Sequence, residues 1–290
     1  VARGSFLPPD ASVVLEGRVS IEAALSGGVR DVLEILAVTP GDRRLAHLRQ
    51  LASEAGVPIH RTDAERLRGL VRGSTHGGVV ALAGPRRYLS LPELLAATPQ
   101  PAFLALLDGI EDPYNYGQAI RALFAAGAHG LIVRERSWEQ AAGTVARASA
   151  GASELLPTAT STSVDEAAAA VREHGLAVAV ATTQRDAFWL HDADLTVPLL
   201  VVVGGERRGV TRSFVAEADL RLRIPYGRRG AHALGAATSA ALIGFEILRQ
   251  RRAAGILADP GDDAVEEGSA LAEDGNLAAD RSRPAAKRRA

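Results

Sequence analysis

The chain has 290 residues, 47% of them hydrophobic, and a formal net charge of −1. That is enough apolar material for one large or two ordinary domains, and too much for a globally disordered chain. It contains no cysteine, which excludes disulfides, thiolate catalysis and cysteine-ligated metals.

No apolar run nears the ~20 residues of a membrane-spanning helix. No basic stretch followed by a long apolar one opens the chain, so a cytosolic protein is the expectation. The acids gather at the end: residues 258–290 hold eight acids and five bases, leaving 28 bases against 26 acids elsewhere. Lys287 is the sole lysine. The other basic residues are arginines, which pair bidentately with phosphate or carboxylate.

Residues 1–10 carry Pro8 and Pro9 and read as a loose lead-in. A small α/β pattern follows, in which Val13–Leu15 begins a strand and Val19–Leu25 is helical. Val32–Val38 is a strand, and Leu45, Leu48 and Leu51 make a helical stripe over 45–55. Val57–Ile59 is a short strand, Ala64–Leu70 a short helix and Val79–Leu82 a last strand. Residues 1–83 thus form a small α/β domain. Residues 84–100, with Gly84, Pro85, Pro92 and Pro99, read as a linker holding a short helix at 91–96.

The second domain spans residues 101–256. Its opening stretch, Leu104 to Val133, is the most legible part of the chain. An apolar run ends at Asp108-Gly109, and a polar turn covers Glu111 to Asn115. Ile120, Leu123 and Phe124 then recur at helical spacing until a second apolar run, Leu131–Val133. That is a βαβ unit, the building block of parallel sheets, whose chemistry sits at the carboxyl ends of strands. Beyond it, 138–148 and 164–174 read as helices and 176–181 as a strand. Leu199–Val203 is an apolar strand buried on both faces. A helix at 211–217, a strand at 220–224 and a long Ala-rich helix at 235–252 complete the domain. Residues 257–290 are acidic, then basic, and are expected to be disordered.

Three segments in order carry a family resemblance. The first is Asp108-Gly109, Asp112-Pro113, Asn115, Gly117 and Arg121. The second is the apolar strand from Leu200 ending in Gly204-Gly205-Glu206-Arg207-Arg208-Gly209. The third is Ile224-Pro225 leading into a helix that holds Phe245-Glu246. Ser149 to Ala152 adds a fourth match. Together they resemble the SpoU/TrmH family of RNA ribose methyltransferases. Glu16-Gly17, Glu22-Ala23, Leu25 and His76 to Val79 resemble, more loosely, the substrate-binding domain that precedes the catalytic domain in many members. A structural α/β module without RNA contact is the other reading of residues 1–83.

The resemblance implies a trefoil-knotted α/β SPOUT methyltransferase domain, S-adenosylmethionine as cofactor, a homodimer and structured RNA as substrate. Ribosomal RNA comes first and transfer RNA second; no DNA, membrane or metal is expected. It implies a catalytic role for Arg121, with Asn115 and Glu206 beside it. A guanidinium is a weak general base because its pKa exceeds about 12. Orientation of the ribose-phosphate and stabilisation of a developing alkoxide are easier to defend. By its residue type alone, Arg121 would be a surface arginine or a partner of Glu111 or Asp112. Asn115 reads either as a helix cap or as an orienting amide. Glu206 reads as a loop brace, a partner of Arg121 or an RNA contact. For the cofactor, the resemblance implicates Val203, Gly204, Gly205, Gly209, Ile224, Leu234 and Gly235. The glycine loop lacks the Lys-Ser/Thr ending of a phosphate-binding P-loop.

The third segment departs from the family. Where members carry Ser-x-Asn-x-Ser, this chain aligns Ala233, Gly235 and Ala237. A knotted RNA-binding protein that has lost catalysis is therefore the alternative reading.

Overall fold

The computed structural model describes residues 13–71, 76–134, 141–205, 209–228 and 234–258. The lead-in and nearly all of the charged tail lie outside them, as does Glu206.

The first α/β unit runs β1 (Val13–Glu16), α1 (Arg18–Gly27), β2 (Val32–Ala37), a 3₁₀ turn, α2 (Ala46–Glu54), β3 (Ile59–Arg61), α3 (Ala64–Leu70) and β4 (Val79–Ala83). Its sheet has the order β1-β4-β2-β3. Alternation along the strands builds two cores: Leu15, Ile35 and Ala81 pack on Ile21 and Leu48, while Leu36 and Val80 pack on Leu67. The strand expected at 57–59 sits two residues later. The Val57 N–H instead donates to the Ala52 carbonyl at 2.8 Å, finishing the turn out of α2.

The stretch expected as a linker is built into both neighbours. Ser90 caps α4 (Leu91–Ala97) in a reciprocal capping box with Glu93. Leu91, Leu94 and Leu95 are buried in the core of the second unit.

That unit continues β5 (Phe103–Asp108), α5 (Pro113–Ala125), β6 (Gly130–Arg134), α6 (Ala142–Ala148), α7 (Ala152–Leu155), β7 (Thr158–Ser161), α8 (Val164–Glu173) and β8 (Ala177–Ala181). Then come β9 (Phe188–Trp189), β10 (Leu199–Gly204), α9 (Arg212–Glu217), β11 (Leu220–Arg223) and α10 (Ala236–Ala253). Residues 138–140 of the helix expected at 138–148 lie outside the described residues. The strands form a seven-stranded sheet of order β7-β6-β5-β10-β8-β11-β9, with every pair parallel.

Helices cover both faces, so the central strands are apolar throughout. Phe103, Ala105 and Leu107, with Leu199, Val201 and Val203, face α5 and α10. Leu104, Leu106, Leu200 and Val202 face α4, α8 and α9. Arg251, near the end of α10, is 1% exposed. Its guanidinium donates to the carbonyls of Pro101 (2.7 Å), Ala102 (2.7 Å), Val197 (2.8 Å) and Leu195 (3.4 Å), under the entry ends of β5 and β10.

Candidate active site

The strand order reverses direction between β5 and β10. From β5 the chain moves outward to β6 and β7; from β10 it moves the other way, past β8 to β11. In open parallel sheets such a switch point opens a crevice at the carboxyl ends of the two strands, where ligands bind. Here β5 and β10 end level, with Asp108 beside Gly204. The Gly205 N–H donates to the Asp108 carbonyl at 2.6 Å, and the Gly209 N–H to the Gly205 carbonyl at 3.0 Å. A Cβ on Gly205 would lie 1.9 Å from the Gly109 carbonyl oxygen. The two loops therefore meet backbone to backbone, and only glycine fits at the contact. The Asp108 carboxylate is met by Arg134 from β6 at 3.4 Å, a pair that sequence reading missed because 26 residues separate the partners.

The loop after β5 ends at Asp112, which caps α5 by accepting from the Asn115 N–H at 2.8 Å. Asn115 is thus a residue of the helix and not of the turn, and the cap is Asp112. The Asn115 side chain is left without a hydrogen bond among the described residues. Tyr116, Ile120 and Leu123 turn inward from α5. Arg121 faces solvent and has no ion pair or hydrogen bond among the described residues, so the pairing with Glu111 or Asp112 is not made. Six residues advance a helix by about 9 Å and two-thirds of a turn beyond a full one. Asn115 and Arg121 therefore leave α5 in different directions.

The other wall comes from the connection between β11 and α10. Ile224 is half-buried against the core. The Leu234 N–H donates to the Tyr226 hydroxyl at 3.2 Å, which ties the two ends of this loop together. Gly235 is the N-cap of α10 and supplies no side-chain bond to it. Val203 is 1% exposed, with its side chain in the core, so only its backbone is available to a ligand. Of the expected cofactor residues, Val203, Gly204, Gly205 and Gly209 share the end of β10 and its loop. Ile224, Leu234 and Gly235 share the other loop. Asn115 and Arg121 lie on α5, the helix that follows β5.

Comparison with known proteins accounts for both units. Residues 102–245 match the SpoU rRNA Methylase family, and residues 14–89 match a family described as RNA 2'-O ribose methyltransferase substrate binding. The chain is 32% identical over 242 residues to the 23S rRNA (guanosine-2'-O-)-methyltransferase RlmB of Bordetella pertussis, covering 82% of this chain and 98% of that protein. A solved RNA 2'-O ribose methyltransferase is 28% identical with a TM-score of 0.68, over 82% of this chain and 88% of that one. The AdoMet-bound rRNA methyltransferase from Sinorhizobium meliloti, at 23% identity and a TM-score of 0.68, shares the fold over 85% of this chain and 88% of that one.

Proposed function

Because this chain belongs to the SpoU family of RNA methylases, we propose that it transfers the methyl group of S-adenosylmethionine to a ribose 2′-OH of ribosomal RNA. The observation that carries this reading is the glycine contact at the switch point, where Gly205 packs backbone to backbone on Gly109 at the level carboxyl ends of β5 and β10, the end of the sheet where ligands bind. A nucleoside cofactor fits such a wall, since its polar edges bond to N–H and C=O groups and its flat faces lie on small or apolar residues. The backbone of Val203–Gly205 and Gly209, with Ile224 and Leu234–Gly235, would hold it. When bound, S-adenosylmethionine supplies an electrophilic methyl group on a sulfonium.

The chain's own contribution is orientation and charge. Arg121 keeps its fork of donors uncommitted, which suits a ribose-phosphate. Its fixed donors steady the developing alkoxide. The Asn115 amide, relieved of capping by Asp112, is available to the acceptor. The departures of the third segment favour a non-catalytic binder; the retained Asn115 and Arg121, and a described backbone at Gly235 that still starts α10, favour the enzyme.

The same reading includes a homodimer and a trefoil knot. Phe124, Leu242 and Phe245 are 41–49% exposed on α5 and α10. Beside them an apolar groove runs between Leu190, Ile224, Pro225 and Phe245. A second copy covering this strip would bring Arg121 toward a shared site. The packing of α10 back on α5 and β10 is compatible with the knot that the resemblance implies. A ribosomal RNA substrate puts the reaction in the cytoplasm; no helix among the described residues is long and apolar enough to cross a membrane. The test is titration calorimetry with S-adenosylmethionine, paired with transfer of labelled methyl to ribosomal RNA and mapping of the product ribose. No binding at millimolar cofactor would overturn the reading.

A further inference from the structure

The first α/β unit is not tethered to the second; it is fused to it. The fusion begins with backbone. A Cβ on Gly27, at the end of α1, would lie 1.9 Å from the Glu154 carbonyl oxygen, and one on Gly143 in α6 would lie 2.2 Å from the Val14 carbonyl oxygen. Ala142 and Ala146 of α6 belong to the hydrophobic core of the first unit.

Charge then seals the seam. The Arg30 and Glu154 side chains are 3% and 2% exposed and pair at 2.8 Å. A second bond joins them at 3.3 Å, and Arg30 also donates to the Gly84 carbonyl at 3.0 Å. Arg86 donates to the carbonyls of Ser153 and Leu156 and to the Thr158 hydroxyl. Burial lowers the Arg86 pKa, and the neighbouring Glu154 opposes this. At the rim, Arg147 pairs with Glu16 at 2.6 Å.

The connecting strap, residues 84–89, is stitched to both sides. The Gly84 and Arg87 N–H groups donate to the Asp31 and Val29 carbonyls of the first unit, at 2.8 and 2.7 Å. Leu89 exchanges backbone bonds with Thr158 and Thr160 of the second, at 2.9 and 3.3 Å. A strap with free torsions could let one unit swing. This one has too few unbonded groups to do so.

We infer that the seam holds the substrate-binding unit as a rigid jaw, with Arg30 and Glu154 as a positioning pair. The enzyme then selects RNA whose recognised element lies at one fixed span from the acceptor ribose. The inference rests on the ribose methyltransferase reading for its substrate. The sheet order sets the geometry: β1 lies at the seam, and β3 is the far edge, three strand spacings or about 14 Å away. A contact made out there fixes the acceptor only if the seam does not bend. Neither residue touches the reacting atoms, so both act through domain placement.

The absence of cysteine makes the test direct. Spin labels at Ser53→Cys and Glu173→Cys, both exposed positions, report the distance between units by pulsed electron resonance in the full chain. Wild type should give one narrow distribution. Arg30→Met should broaden it and raise KM for structured ribosomal RNA about tenfold or more, because a loosened pair of binding elements loses effective concentration. The kcat at saturation and the cofactor Kd should hold. Arg30→Lys, which keeps the charge but not the fork, should fall between. Should Arg30→Met fail to fold, Arg147→Met at the half-exposed rim carries the same test with a smaller broadening. A broad distribution in wild type, or an unchanged KM beside a broadened distribution, would overturn the inference. If no RNA is methylated at all, the ribose methyltransferase reading fails, while the spin-label distances still decide whether the seam is rigid.

Discussion

The seam and the switch-point crevice use the same backbone device and end in opposite electrostatics. In each, a glycine lies where a Cβ would fall 1.9 Å from a carbonyl: Gly27 against Glu154, and Gly205 against Gly109. Beside Gly27 the Glu154 carboxylate is buried and bonded to a buried Arg30. Beside Gly205 the Asp108 carboxylate is only partly buried and meets a mostly exposed Arg134, and Arg121 on the following helix has no partner among the described residues. A buried, saturated arginine is committed to structure, because moving it strands a charge. An exposed, unpaired one on the helix above a ligand crevice is free to meet a substrate that arrives with its own negative charge.

Each side of that contrast can be broken separately. Glu154→Ala should have the largest effect, about 3–5 kcal/mol of stability, since it strands Arg30 and crowds it with Arg86. Denaturant unfolding followed by circular dichroism measures it, and a loss below 1 kcal/mol would show that the seam is wetter than it looks. Arg121→Ala should do the reverse. Unfolding and cofactor affinity stay put while methyl transfer falls roughly 10²–10³-fold, and Arg121→Lys restores only part. Wild-type transfer by Arg121→Ala would move the chemistry to another residue.

Gly205→Ala should cost about 1–3 kcal/mol from overpacking and weaken S-adenosylmethionine binding in calorimetry. Gly69→Ala, in α3 with nothing near its added methyl, should instead stabilise slightly. Equal behaviour of the two would sink the close-contact argument. The smallest effect is an acid limb. Arg249 holds the Glu246 carboxyl down to about 2, helped by Gln250 and His191, from an ordinary 4.5. A depressed carboxyl stabilises the fold above its unfolded pKa and stops doing so as pH falls through the folded one. Thermal melts should therefore lose this contribution between about pH 4.5 and 2, and Glu246→Gln should flatten that limb.

The central sheet was legible because its strands are long, apolar and bounded by Gly, Asp and Pro; β5, α5, β6 and β10 all fall where their periodicity puts them. Thr158–Ser161 was not, because a Thr-Ala-Thr-Ser edge strand has no large apolar residue to mark it, and the two residues of Phe188–Trp189 are too short to alternate. Gly204, Gly205 and Gly209 after β10 and Ile224 after β11 follow parallel strands of one sheet, while Glu206 lies outside the described residues. Asn115 moved from turn to helix because Asp112 was the better cap. The seam was invisible for a different reason: Arg30 and Glu154 are 124 residues apart, and neither stands in a pattern that advertises a partner. Prolines at 85 and 92 even suggested the opposite, a free linker.

Arg251 has a bearing on how the enzyme comes into being. Its four carbonyl partners precede β5 and β10, while the helix it ends begins at the loop that closes the crevice. A nascent chain exposes residues 104–235, with every residue of the expected site, before that anchor has left the ribosome. Until position 251 emerges, α10 is held by apolar contacts such as Ile243 and Ile247 and lacks its polar grip on the entry ends of β5 and β10. Full rigidity therefore arrives late in synthesis, and a product that stops at Gln250 should melt earlier although it lacks none of the expected site residues.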